Sequence, residues 1–228
     1  MNQSLIRNCS RHHSYQQGRS LNILLAAVAA FAIGIIFYSY QNSQSDTHIA
    51  TKLQKATSLH TSPRALPNFS LTNHLNSDFS NQDLVGSWNM IFFGFTHCPD
   101  VCPLTLSTLD QVANELANFK NIPRSIFISV DPKRDQPEQL KQYVEHFNHQ
   151  MIGLTGEKDQ IDELTQSMGA IYAIADNSSD DYLVDHSAHI FVTAPDGKLV
   201  ALFSTPHDAK TIANDFKHIS KLYELNNS

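Results

Sequence analysis

The segment Met90-Ile91-Phe92-Phe93-Gly94-Phe95-Thr96-His97-Cys98-Pro99-Asp100-Val101-Cys102-Pro103 changes character twice. Met90 to Phe95 is an unbroken apolar run, the pattern of a strand buried on both faces. The run breaks at Thr96-His97, and two cysteines follow with three residues between them. After Pro103, apolar residues recur at Leu104, Leu106, Leu109, Val112 and Leu116, a helical spacing. Two thiols therefore stand where a core strand passes into a helix, on or just before its first turn. The unpaired N–H groups and dipole of a helix start favour thiolate, so a lowered thiol pKa is expected there.

The rest of the domain is read outward from this junction. It begins near Pro67, where Phe69 and Leu71 alternate with polar residues as in a short strand. A turn-rich piece leads to the core strand at Trp88. Beyond the cysteines the helix runs to about Phe119, and residues 124–130 form a second buried strand ending at Asp131-Pro132. Pro137 and Glu138 open a helix to Phe147. Met151–Leu154 reads as strand, Lys158–Met168 as helix, Ala170–Ala175 as strand and Asn177–Asp181 as a polar turn. Ala188–Thr193 and Leu199–Phe203 are strands joined by the tight turn Pro195-Asp196-Gly197. A last helix starts with Thr205 as N-cap and Pro206 at the first helical position. Two strand–helix–strand units, a hairpin and a final helix make an α/β domain with a mixed sheet flanked by helices. A thiol pair after the first core strand matches the thioredoxin-like arrangement.

The 228 residues, 41% of them hydrophobic, suffice for one such domain, 67–228, with appendages. Residues 1–20 hold Arg7, Arg11 and Arg19 and no acid, which leaves about −9 of the net −6 on the remainder. An acidic main body argues against nucleic-acid binding. Residues 21–40 are apolar on every face, long enough to cross a bilayer, and end in Tyr38 and Tyr40 at the level of an aromatic belt. They are read as an uncleaved signal anchor. A cleaved signal peptide would need a shorter apolar run and a small-residue site, for which Ser43-x-Ser45 is a weak candidate. The positive-inside rule puts 1–20 in the cytoplasm and the domain in a bacterial periplasm. An Arg- and Ser-rich, acid-free N-terminus also fits a mitochondrial presequence, with the domain facing the intermembrane space. Residues 41–66 read as a polar tether.

Three cysteines do not make a disulfide scaffold. Cys9 lies across the membrane from the pair on this reading. Cys98 and Cys102, at i,i+4 on one helical face, have Cβ atoms about 6 Å apart. That separation permits a disulfide or joint ligation of a soft metal, copper(I) or zinc. The candidate third donor is His186, in the loop just before the strand at Ala188, which a thioredoxin-like fold lays beside the cysteine loop. His189 and His97 are weaker candidates, Asp131 is a site-edge or turn residue, and Asp185 is a candidate to orient His186.

Gly94 to Pro103 closely resembles the G-[FY]-T-x-C-P-x-x-C-P signature of the Sco/SenC family. Ser129-Val130-Asp131-Pro132-Lys133-Arg134-Asp135 resembles its S-[VI]-D-P-x-R-D segment. Gly153-Leu154-Thr155-Gly156 also fits, and Tyr182-Leu183-Val184-Asp185-His186-Ser187 resembles its Y-x-V-D-H-[ST] segment. The likeness runs from about Phe69 to Ile219, in the same order and spacing. It implies a membrane-anchored, thioredoxin-like metallochaperone that binds one Cu(I) or Cu(II) through Cys98, Cys102 and His186. Such proteins help assemble the dinuclear copper centre of cytochrome c oxidase. The copper-centre subunit of that oxidase is then the partner, with other copper chaperones as further ones. Three positions depart from the pattern: Gln136 where Thr is frequent, Ala194 where Asp is common, and His189 where a small or apolar residue is usual.

A rival function keeps the same cysteines. As a thiol-disulfide oxidoreductase, Cys98 attacks a partner's disulfide and Cys102 resolves the mixed disulfide, with no need of His186. A peroxidase would need a Pro and a Thr upstream of the attacking cysteine, and no Pro precedes Cys98 nearby. A structural zinc site is the remaining reading.

Overall fold

The structure is a computed structural model, and it describes residues 25, 27–39, 53–59, 62–174, 182 and 184–227. The basic segment 1–20 with Cys9, residues 41–52, and the expected turn at Asn177–Asp181 lie outside the described residues. Residues 27–39 form an exposed helix, α1, inside the segment read as a membrane anchor. Among the described residues no helix is long and apolar enough to cross a membrane. Residues 21–24, 26 and 40 of the expected span lie outside them.

The second unit is Lys52–Ser228. Its centre is β4 (Asn89–Gly94), whose six residues are all buried. Parallel to it runs β5 (Arg124–Ser129), then β6 (Ile152–Thr155). These three are joined through α3 (Val101–Glu115) and α4 (Pro137–Phe147), as the sequence predicts. On the other side of β4 lie β9 (Ile190–Thr193) and β10 (Leu199–Phe203), both antiparallel. β2 (Ser70–Asn73) and β3 (Asp78–Ser80) complete the far edge beside β6. The eight-stranded order is β1-β10-β9-β4-β5-β6-β2-β3. A separate two-stranded ribbon pairs β7 (Tyr172–Ile174) with β8 (Val184–His186).

The apolar run of β4 is continuous because both faces are covered. Met90 and Phe92 point into one core with Leu106 and Leu109 of α3, Leu140 and Val144 of α4, and Phe216 of α6 (Ala209–Asn227). Ile91, Phe93 and Phe95 point into the other with Ile161, Leu164 and Met168 of α5 (Lys158–Met168). Each such side chain contributes about 1.5–3 kcal/mol by leaving water.

Three local expectations change. Residues 56–58, inside the stretch read as tether, form strand β1 (Ala56–Ser58) on β10, and Arg64 bridges to Leu199. Three residues are too few to show alternation. The strand is held from outside itself: the buried Asp215 carboxylate accepts the N–H groups of Gln54, Lys55 and Ala56 at 2.8–3.0 Å. The turn-rich piece before β4 contains a short helix, α2 (Asn81–Leu84), closed by a capping box between Ser80 and Asp83. The last helix starts at Ala209, not at Pro206, because Asp208 accepts the Thr211 N–H at 2.8 Å and so caps it.

Candidate metal centre

The thiol pair sits at the C-terminal end of β4. Cys98 lies in the turn before α3, its N–H donating to Phe95 O at 3.2 Å, and Cys102 lies in the helix's first turn. Cys98 is half-buried between the two cores, Cys102 is fully buried, and both are free thiols. Gly94 makes room for them. A Cβ there would stand 2.6 Å from Cys102 Sγ and 2.9 Å from Phe127 Cε2. Only a residue without a side chain lets the sulfur rest on the strand.

His186 arrives on β8, the second strand of the ribbon, rather than in a loop. The ribbon is anchored by Tyr172 opposite His186 and by Ser187, whose N–H donates to Ile171 O at 2.7 Å. Its ring stands edge-on to Phe92 and Phe95. His186 Nε2 is 3.2 Å from Cys102 Sγ. The donor atoms of Cys98, Cys102 and His186 all lie within 4.8 Å of one another. Among the described residues this is the cluster of three such donors with metal-site spacing. Two sulfurs and an imidazole are a soft set that suits Cu(I) and tolerates Cu(II).

The expected thiolate is not what the surroundings favour for Cys102. Burial pushes its thiol well above the ordinary value, and charge on Cys98 and Asp135 adds to the rise, so loss of water outweighs the helix start. Burial likewise pushes His186 down, which keeps the ring neutral. His186 Nδ1 lies 3.3 Å from Ser187 O. The tautomer with its proton there leaves the Nε2 lone pair turned to the sulfurs. Asp185, expected to orient the ring, is exposed on the other side of β8 and acts only through its charge. The alternation of the strand turns it away.

Asp131, expected as site edge or turn, and Asp135, which the sequence reading passed over, hold the two arms of the site. Asp135 is fully buried and accepts the Thr96 N–H at 2.9 Å, the Thr96 hydroxyl at 2.5 Å and the Ser129 hydroxyl at 2.6 Å. Thr96 stands two residues before Cys98, so this acid fixes the cysteine loop. Burial raises the Asp135 carboxyl above its usual range against the pull of these hydrogen bonds. Asp131 accepts the Tyr182 hydroxyl at 2.6 Å and the Arg134 Nε–H at 2.5 Å, and the Arg134 guanidinium lies 3.7 Å from the centroid of the Tyr182 ring. Tyr182 stands two residues before β8, so this second acid ties down the approach to the histidine arm. The visible signal was the Asp131–Asp135 spacing inside the Ser129–Asp135 segment, at the end of a core strand.

The two weaker histidine candidates are not brought in. His97 is exposed, with Nδ1 3.0 Å from Thr96 Oγ1 and 3.8 Å from Asp135 Oδ1. His189 turns its ring edge to Phe191, and neither joins the three-donor cluster. Of the departing positions, Gln136 bonds Pro132 O at the N-terminus of α4, and Ala194 is buried in the core.

Comparison with known proteins agrees with this layout. The SCO1/SenC family profile matches residues 58–221. The human mitochondrial SCO1 homolog is 37% identical over 158 residues, which are 68% of this chain and 52% of that protein. This chain thus spans about half the length of that relative. The mouse mitochondrial SCO2 homolog is 30% identical over 230 residues, 98% of this chain and 89% of that one. Among solved structures, Arabidopsis thaliana ScoI, described with copper bound, superposes with a TM-score of 0.64 at 33% identity, covering 68% of this chain and 98% of its own. The sheet order, the thiol–imidazole cluster and these likenesses converge: the domain is thioredoxin-like, and the chain belongs to the SCO1/SenC family.

Proposed function

We propose that this chain is a membrane-anchored copper metallochaperone that holds one copper ion through Cys98, Cys102 and His186. It passes the ion to the dinuclear copper centre of cytochrome c oxidase. The single observation that carries the reading is the convergence of two sulfurs and one imidazole nitrogen within 4.8 Å. Three protein donors leave one side of an ion open, and that is the side a partner's ligands can take over. Cys98 and His186 are half-buried and border solvent, while fully buried Cys102 holds the inner face. Family membership supports the oxidase copper-centre subunit as recipient.

Residues 21–40 supply the anchor on this reading, 1–20 stay in the cytoplasm, and the polar chain up to β1 tethers the domain. The domain then works in a bacterial periplasm, or, on the alternative reading, in the mitochondrial intermembrane space.

A second reading shares the site. The exposure difference between the two cysteines is that of an attacking and a resolving thiol. Reduction of the partner's ligand cysteines by this pair would precede metal delivery, with Cys98 and Cys102 ending as a disulfide.

Copper titration of the full chain under reducing conditions tests the first reading. One copper per chain is expected, lost on Cys98→Ser. On His186→Ala, Cu(II) binding is lost while the dithiol still cycles. Full copper affinity in His186→Ala would overturn the three-donor site, and disulfide turnover with no bound metal would favour the reductase.

A further inference from the structure

Thr155, the last residue of β6, is 5% exposed, and its hydroxyl has no hydrogen-bond partner among the described residues. A buried hydroxyl left unpaired costs free energy, so its place calls for a ligand. By strand alternation Thr155 shares a face of β6 with Gly153, where a Cβ would stand 3.1 Å from Val144 Cγ1 and 3.3 Å from Leu140 Cβ of α4. Its cross-strand partner is Thr72 of β2. Both threonines line an open cleft of about 440 Å³, with Lys133, Gln136, Glu157 and Lys158 among its walls.

Two helices start at this cleft. α4 begins at Pro137, after Gln136, and α5 begins at Lys158, after Glu157. Each runs for 11 residues, and neither start is capped by a side chain. Gln136 instead gives its amide N–H to Pro132 O at 2.7 Å. The first-turn N–H groups of both helices are thus left without a side-chain acceptor, and each start carries about half a positive charge. Lys133 is exposed on the cleft wall and adds a full one. The Lys158 ammonium is engaged by Asp162 at 2.6 Å and by the Tyr172 hydroxyl at 3.1 Å, so Lys158 offers the cleft its backbone. Glu157 opposes an anion, but it is exposed and screened by water. The first-turn acids Glu138 and Asp159 are exposed and stand outside the walls.

We propose that this cleft binds the phosphate group of a small monoester. Phosphate oxygens accept the N–H groups of the two helix starts, the Thr155 hydroxyl donates to one of them, and Lys133 balances the charge. A bare phosphate ion does not fill the cleft, which leaves room for the esterified part. The cleft lies at the carboxyl ends of β5 and β6, the side on which α/β sheets hold their ligands. Cys98, Cys102 and His186 are not among its walls, so the inference stands apart from the copper reading.

The test titrates glycerol 3-phosphate and inorganic phosphate, separately, into the metal-free full chain in neutral detergent, by calorimetry at fixed ionic strength. One ester per chain is expected, bound several-fold more tightly than inorganic phosphate. Thr155→Val should weaken the ester about tenfold. Its denaturation midpoint without ligand should stay native or rise, because the unpaired hydroxyl is gone. Glu157→Gln, at an exposed position that leaves the fold alone, should tighten binding about threefold. Lys198→Gln, which removes a surface lysine paired with Asp196 outside the cleft, should leave the affinity native. Inorganic phosphate bound as tightly as the ester would overturn the monoester in favour of the free ion. No saturable binding of either probe, or an affinity unmoved in both Thr155→Val and Glu157→Gln, would overturn the site.

Discussion

Single residues set the protonation of the site, and burial decides both directions. His186 is pushed below its ordinary 6.5 and Cys102 above its ordinary 9.0. A histidine held low in the fold is protonated more readily in the unfolded chain, so its neutral form costs stability as pH falls below 6.5. A thiol held high in the fold loses its proton more readily in the unfolded chain, so stability is lost as pH rises above 9.0. Denaturation midpoints measured against pH should therefore fall on both sides of this window. The acid fall should be smaller in His186→Ala and the alkaline fall smaller in Cys102→Ser. With Cys102 as a ligand, as proposed, copper binding expels its proton, so apparent affinity should rise about tenfold per pH unit for each proton released. A flat affinity profile across neutral pH would show that Cys102 is not a ligand.

At the scale of elements, the site is two arms tied to one loop. The cysteine turn hangs on Asp135 through Thr96, and the β7–β8 ribbon hangs on Asp131 through Tyr182. Asp135→Asn turns amide hydrogens toward donors and should cost about 1–3 kcal/mol in chemical denaturation. It should also lower copper affinity about tenfold or more, as loss of a ligand's supporting partner does. Tyr182→Phe should cost about 1 kcal/mol and loosen only the histidine arm. The alkylation rate of Cys98 separates them: it should change in Asp135→Asn and stay native in Tyr182→Phe. Equal effects would mean that the two ties are one. The arms were unequally legible in the sequence. Strong period signals gave α4, α5 and β10 to the residue, because each buries a regular apolar stripe or run. β8 was missed because only three residues pair there, and its hydrogen bonds go to β7 rather than to the main sheet. Asp135 was missed because an acid after Pro132 reads as solvated turn, and its burial depends on Thr96, far away in the chain.

For the whole molecule, the domain is larger than its apolar pattern. β1 adds an edge strand through Asp215, a buried acid on α6 that the helical period would place among apolar neighbours. Asp215→Ala leaves three backbone N–H groups unpaired and should cost about 1–3 kcal/mol. β10 and β9 stand between β1 and β4, so copper stoichiometry should not change. Calorimetry with metal analysis on the same sample reads both quantities, and joint loss would couple the edge strand to the site. The sequence carried the position of the thiols and His186 because motif spacing survives without any knowledge of packing. It did not carry the protonation states, which arise from side chains that only the fold brings together. The most direct measurement of the central claim is X-ray absorption at the copper edge on the loaded full chain and its variants. The account predicts two sulfur neighbours and one imidazole nitrogen, one sulfur lost in Cys98→Ser or Cys102→Ser, and the imidazole lost in His186→Ala. An imidazole that persists in His186→Ala, or two sulfurs that persist in Cys102→Ser, would contradict it.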